Sequence, residues 1–299
     1  MVGVGRRRAL LVALALAAGA CSRGEGSRQP ATVLFLSDFG ETDGAVAACK
    51  GVMWGIAPDL RIVDLSHEIP PYDIEAAAEV LEQAVAFYPS GTVVVAVVDP
   101  GVGSERRAAA IRTQKGHLLV GPDNGLFTLV MQTEGFDRAV ELRNPRYFRD
   151  AQTSSTFHGR DVFAPVAAHL ATGVPLDSLG PSLVPVRLDL APALLRDGRI
   201  EGTVRYIEDP YGNVVTNIPA VLLDSLGARI GDSLEVRIGT RTMRLPWRNT
   251  FSDVPQSEPL ALMHSRGVLS FSVNQGDFAS RFGVERKARV SVRRLPRSS

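Results

Sequence analysis

The chain has 299 residues, 45% of them hydrophobic, enough for one large domain or two with real cores. Lys plus Arg number 33 and Asp plus Glu 32, so no overall field favours nucleic acid or an anionic membrane surface; charge preferences must be local to a site. Cys21 and Cys49 are the two cysteines, and no Cys/His spacing resembles a zinc site.

Residues 1–21 read as a leader. Arg6, Arg7 and Arg8 precede an apolar run, Ala9 to Ala20, that is too short to span a bilayer and has the shape of a secretory signal. It ends LAAGAC, with Cys21 where a lipoprotein signal is cut and the new terminus acylated. The expected localisation is therefore exported and membrane-anchored through lipid, with a plain cleaved signal to the periplasm, or an uncleaved segment, as alternatives. The triple arginine also permits a twin-arginine route. Residues 22–31, SRGEGSRQPA, read as a flexible tether.

From Ala31 the pattern is strand, loop, helix, repeated. VLFLS (Val33 to Ser37) predicts a buried strand, and AVAACKGVMWGIAP a helix closed by Pro58. LRIVDLS (Leu60 to Ser66) is the second strand. IEAAAEVLEQAVAFYP (Ile74 to Pro89) has apolar residues at helical spacing and glutamates on the other face. TVVVAVVD (Thr92 to Asp99) is the third strand, and AAAIRT followed by HLLVG (His117 to Gly121) suggests a hairpin or adjacent strands. Helices near Asn124 and across Val162 to Thr172 complete an α/β half, a mostly parallel sandwich of Rossmann-like type over 32–190. After that, short alternating segments bounded by Gly, Asn, Asp and Pro predict a smaller β-barrel or sandwich over 191–299.

In open α/β sheets ligands bind beyond the carboxyl ends of the strands. Three such ends are polar: Ser37-Asp38, Ser66-His67 and Asp99. One aspartate there is commonly a turn former, but three together point to a site. The glycines of DPGVGSERR and GPDNG fit neither a dinucleotide nor a P-loop spacing, though they allow backbone to approach a ligand closely. In SSTFHGRD, His158 lies on a glycine-containing loop, a better candidate than His169 within its helix, or than His117 and His264, which have no partner visible in the sequence. DPYGNVVTN sets Tyr211 two residues before Asn213, an aromatic face and an amide suited to a purine; a plain β-turn fits equally. HSRG puts Ser265 beside Arg266, suited to a carboxylate or to a surface turn. Cys49 reads as a small buried hydrophobe.

Taken in order, SDFG (Ser37 to Gly40), CKGVM (Cys49 to Met53), VDLSHEIPPYD (Val63 to Asp73), DPGVGSERR (Asp99 to Arg107), PDNG (Pro122 to Gly125), STFHGRD (Ser155 to Asp161), YGNVVTN (Tyr211 to Asn217) and SRG (Ser265 to Gly267) resemble one family. It is that of the S-adenosyl-L-methionine (SAM) hydrolases, or SAM hydroxide adenosyltransferases, relatives of the fluorinases and chlorinases. The resemblance runs from about Val33 to about Val292. It implies hydrolysis of SAM to adenosine and methionine without a cofactor or metal, in a homotrimer with each site between two subunits. By the same resemblance Asp99, Arg106 and His158 hold the attacking water. Asp38 takes the ribose hydroxyls, Asp43 the methionine ammonium, and Ser265 with Arg266 the methionine carboxylate. Tyr72 and Tyr211 line ribose and adenine, and Asn213 reads the adenine edge. The halogenases differ at the matching positions: a tyrosine stands for Asp99, a threonine for Val102 and a Tyr-Ser pair for His158-Gly159. Their long insertion is missing here, since only a short loop links Arg112 to His117. Besides halide transfer, the alternatives are a non-catalytic adenosine- or SAM-binding lipoprotein and a metal-dependent phosphoesterase using Asp38, His67, Asp123, Asn124 and His158.

Overall fold

The computed structural model describes residue 1 and residues 31–150 and 153–296; the leader with Cys21 and the tether through Pro30 lie outside the described residues. The first half runs β1 (Thr32–Ser37), α1 (Ala45–Ile56), β2 (Arg61–Ser66), α2 (Ile74–Ala84), β3 (Val93–Val97), β4 (Ala108–Thr113), β5 (Leu118–Pro122), α3 (Thr128–Glu134), β6 (Phe136–Glu141) and α4 (Ala164–Ala171). Its sheet has the order β2-β1-β3-β5-β4-β6. The first four positions are parallel, and β4 runs antiparallel to β5 and β6.

Successive side chains of a strand point to opposite faces, so a strand covered on both sides must be apolar throughout. That is why β1 and β3 lack alternation. Val33, Phe35, Val93 and Val95 pack on one face with Met53 of α1 and Val166 of α4. Leu34, Leu36, Val94 and Ala96 pack on the other with Leu81 of α2 and Val130 of α3. Because β1 lies between β2 and β3, the chain leaves β1 in one direction and later returns on its other side. This reversal makes the ends of β1 and β3 a switch point, the place where α/β sheets take ligands in a crevice.

Two local expectations shift. The helix expected near Asn124 begins only at Thr128, because the Asn124 side chain is engaged in a turn: its Nδ2 donates to the Val98 carbonyl at 2.9 Å and its Oδ1 accepts from the Leu126 N–H. The helix expected across Val162 to Thr172 enters through a π-helical turn, Gly159–Phe163, before α4.

Residues 183–193, without regular structure, lead to the second half. It contains β7 (Leu194–Arg196), β8 (Arg199–Glu208), β9 (Asn213–Pro219), α5 (Ala220–Ser225), β10 (Ser233–Ile238), β11 (Arg241–Pro246), β12 (Pro259–Met263), β13 (Val268–Val273), α6 (Phe278–Phe282) and β14 (Arg289–Arg294). The strands follow the order β11-β10-β14-β8-β9-β13-β12, with β7 beside β8. A bridge from Trp247, just past β11, to Ala261 on β12 brings the two ends of the sheet together, giving a nearly closed barrel. Ile200, Val214, Val236, Phe271, Phe278 and Val292 fill its interior. Among the described residues no helix is long and apolar enough to cross a membrane.

The barrel is fastened to α2 by charge. Arg205 Nε donates to Glu79 Oε1 at 2.6 Å and its Nη2 to Glu82 Oε2 at 2.9 Å, while Arg286 pairs with Asp73 and Lys287 with Glu75. Glu79 is only 7% exposed, and removing Arg205 takes away its hydrogen-bonded partner and leaves only the Arg266 guanidinium, 3.8 Å away. Arg205→Leu should therefore lower unfolding free energy by about 2 kcal/mol, between the values for exposed and buried pairs, in urea titrations. An unchanged midpoint would contradict this.

Candidate active site

Beyond the end of β3, Asp99 meets Arg106. Arg106 Nε donates to Asp99 Oδ1 at 3.0 Å and Nη2 donates to Oδ2. The same Nη2 lies 3.0 Å from His158 Nδ1. A guanidinium only donates, so Nδ1 is the ring's acceptor and Nε2 carries the proton. Burial, and then the charge of Arg106, hold the His158 pKa below its ordinary 6.5, so the ring is neutral at neutral pH. The side chains of Arg106 and Asp99 are 8% and 6% exposed. Each carboxylate oxygen of Asp99 keeps a second lone pair for another donor.

Two glycines let these loops touch. At Gly103 (φ +78°) an added Cβ would lie 2.5 Å from the Ser155 carbonyl oxygen, so a side chain there would push apart the loops bearing Arg106 and His158. At Gly159 a Cβ would lie 2.9 Å from the Phe39 ring. The His158 loop is anchored by Asp161, which is 1% exposed. Asp161 accepts from Arg160, Arg149 and the Ser154 N–H, and hydrogen bonding from Arg160 above all holds its pKa well below the usual carboxylate range.

The end of β1 supplies Asp38, whose Oδ2 accepts from the Tyr72 N–H at 2.9 Å. Tyr72 has φ +68°, unusual for a bulky residue, and is 70% exposed. Asp43 is exposed and accepts from the Ala45 N–H, at the start of α1. The third polar strand end turns inward. His67 is 2% exposed, packs edge-on against Phe35, and bonds Ser37 Oγ at 2.7 Å and Asp64 at 3.1 Å. It therefore braces β1 against β2 instead of facing the crevice.

In the barrel, Tyr211 and Asn213 line a cleft of 680 Å³ with Phe251, Asn274, Gln275 and Asp277. Tyr211 is 69% exposed and Phe251 41%, leaving two aromatic faces open to a ligand. Ser265 is exposed on the turn after β12. Arg266 is not free: its guanidinium binds Glu82 and donates to the Tyr206 hydroxyl at 3.2 Å. Among the described residues no hydrogen bond joins the Asp38, Asp99 and His158 cluster to the Tyr211 and Asn213 cleft.

Sequence reasoning missed Phe251. Phe251 follows Thr250, whose reciprocal cap with Asp253 is a local turn signal, but nothing in its spacing tells that it opens onto Tyr211. The remaining sequence candidates are structural. Asp123 binds Arg107 at 2.5 Å and the Val186 N–H at 2.7 Å, His117 bonds Glu134 at 2.8 Å, and burial pushes the Cys49 thiol up to about 12. With His67 and Asp123 so committed, the phosphoesterase ligand set does not assemble, and among the described residues no group of three or more His, Cys, Asp or Glu could hold a metal ion.

Comparison with known proteins agrees with this architecture. The model of the SAM hydroxide adenosyltransferase N-terminal domain matches residues 33–180 and that of the C-terminal domain residues 202–291. A protein of Thermus thermophilus named (R)-S-adenosyl-L-methionine hydrolase is 43% identical over 259 residues, covering 85% of this chain and 96% of its own. A fluorinase of Nocardia brasiliensis is 33% identical over 288 residues, 87% of this chain and 95% of its own. The crystal structure of an uncharacterized conserved protein from Thermotoga maritima superposes with a TM-score of 0.83 at 35% identity, covering 88% of this chain and all of that one. Matched over both domains, the chain belongs to the SAM hydroxide adenosyltransferase family.

Proposed function

We propose that this protein hydrolyses SAM to adenosine and L-methionine by attack of water on the ribose C5′. The observation that carries the reading is the hydrogen-bonded chain Asp99–Arg106–His158 at the strand-end crevice. Methionine leaves from a sulfonium as a neutral thioether and needs no general acid, so only the nucleophile needs help. Asp99 accepts from the water through a free lone pair and takes its proton, which passes on to solvent. His158 is a poor base, since its Nδ1 is occupied by Arg106 and its pKa is lowered; its Nε2–H donates to the water and fixes its direction. Arg106 holds the Asp99 carboxylate in place through its two hydrogen bonds. Positive sulfonium and developing hydroxide lose charge together, so a site shielded from bulk water favours the transition state.

A carboxylate beside the nucleophile repels halide, which supports water over halide transfer, as does the higher identity to the Thermus hydrolase than to the Nocardia fluorinase. The name of the Thermus relative specifies the (R) sulfonium epimer, and we extend this preference to the present chain. Asp38 receives the ribose hydroxyls and Asp43 the ammonium. Ser265 meets the carboxylate, with Arg266 holding its turn from Glu82. Tyr72 and Tyr211 flank ribose and base, and Asn213 reads the base edge. These two halves come from neighbouring subunits of a homotrimer; the exposed rings of Tyr72 and Tyr211 support this, as surfaces for a neighbour to cover. No cofactor takes part in this scheme. Export, with lipid on Cys21 or by plain cleavage, rests on the arginine-led apolar leader and its LAAGAC end.

Purified mature protein incubated with the separated SAM epimers should release adenosine and methionine in equal amounts, faster from (R); intact SAM in both would sink the assignment. Asp99→Asn should lose at least about 100-fold in kcat. Mixing Asp99→Asn with Asn213→Ala subunits should restore activity that neither has alone at low substrate, because some mixed interfaces carry both intact residues. No recovery after confirmed subunit exchange would put the site within one chain.

The pH dependence follows from His158. Its pKa is lower in the folded protein, so the folded state binds this proton less readily than the unfolded chain. The Arg106–Nδ1 bond is thus intact above the ordinary value and lost as pH falls through the lowered one. kcat/KM should fall on the acid side with a midpoint below 6.5, and His158→Asn should move that limb. An identical limb in the variant would contradict the role given to His158.

A further inference from the structure

The turn between β8 and β9 brings Glu208 and Asn213 together, with Asn213 Nδ2 donating to Glu208 Oε2 at 3.0 Å. The other oxygen, Oε1, lies 3.0 Å from His264 Nε2. The Arg266 main-chain N–H lies 3.3 Å from His264 Nδ1 and can only donate, so the ring proton sits on Nε2 and points at Glu208. Glu208, as a carboxylate, accepts from both neighbours and donates to neither. The amide of Asn213 is thereby fixed in one sense, its NH₂ toward Glu208. Its Oδ1 accepts no hydrogen bond among the described residues, is not sealed from solvent, and belongs to a residue lining the cleft of Tyr211 and Phe251.

We infer that Glu208, held by His264, is a specificity-determining residue that makes the cleft accept a 6-aminopurine and refuse a 6-oxopurine. The inference rests on Asn213 reading the base edge, as proposed above. At position 6 adenine offers an N–H, which pairs with the Asn213 carbonyl oxygen. Hypoxanthine offers a carbonyl there, setting oxygen against oxygen. A free amide relieves this by turning half a revolution and presenting its NH₂, since the two orientations have nearly the same shape. Here that turn sets Oδ1 against the Glu208 carboxylate, and two acceptors facing one another cost more than the new bond returns. Deaminated substrate is therefore excluded by a residue that does not itself face the base. His264 serves as a positioning residue, because its bond to Oε1 keeps the carboxylate from swinging away.

Adenosine and inosine test this directly. They differ only on this edge of the base and lack the methionine half, so the ratio of their affinities is insensitive to any other duty of Glu208. By calorimetry on the assembled mature protein, adenosine should bind about tenfold or more tighter than inosine. Glu208→Gln, whose amide can donate to a turned Asn213, should bring the ratio close to unity. A wild-type ratio near unity, or a Glu208→Gln variant that keeps the full preference, would overturn the proposal. If Glu208→Gln binds neither nucleoside, Glu208→Ala decides: a collapsed ratio supports the clamp, whereas a retained preference, or loss of both nucleosides again, overturns it by giving Glu208 a role in the shape of the cleft alone. Failure of the wild-type protein to bind adenosine at all would remove the reading of the cleft itself, and this inference with it.

Discussion

Arg106 carries a permanent charge on a side chain that is only 8% exposed, and a buried cation has to be surrounded by acceptors. Asp99 supplies two and the neutral His158 a third, with the Arg107 carbonyl at 3.1 Å a fourth. Meeting that demand fixes the loop after β3 against the loop before α4. It needs a glycine at 103, where the Ser155 carbonyl passes, and an anchored Asp161 to set the start of the π-helical turn. It also decides chemistry. The arginine claims the Nδ1 lone pair and helps keep the imidazole uncharged, leaving Asp99 as the group with both negative charge and spare lone pairs.

The sheet brings these groups into range. β1 and β3 are neighbours whose following loops carry Asp38 and Asp99, and the connection reverses between them, as at the ligand sites of α/β sheets. The barrel carries the residues proposed for the other half of the site: Asn213 at the first position of β9, and Ser265 on the turn from β12 to β13. The acidic face of α2, carrying Glu75, Glu79 and Glu82, is where Arg205, Arg266 and Lys287 fasten the barrel.

Much of this was legible in the sequence because it rests on local rules. The unbroken apolar runs of β1 and β3 report burial on both faces, and the change to short alternating segments after residue 190 reports the barrel. Asp38, Asp99 and His158 stood out as polar residues on loops that a scaffold of strands would align. What stayed hidden depends on distant partners. The glutamates of α2 read only as the face opposite the apolar one, yet they meet arginines more than a hundred positions away, Arg205 among them. His67 read as a strand-end candidate with Ser66, but the closeness of β1 and β2 turns it onto Ser37. His264 had no visible partner, since Glu208 lies 56 positions earlier. The delayed start of α3 follows from the Asn124 amide reaching the carbonyl of Val98, a contact no helical periodicity encodes.

In the proposed reaction water held at Asp99 attacks C5′ itself. A single turnover in H₂¹⁸O, with enzyme in excess over SAM, separates this from attack by an oxygen of the protein. Adenosine from the first turnover should carry ¹⁸O at its 5′ oxygen, and methionine none. First-turnover adenosine with an unlabelled 5′ oxygen would mean that an oxygen of the protein, that of Asp99 foremost, attacks first, and would contradict it.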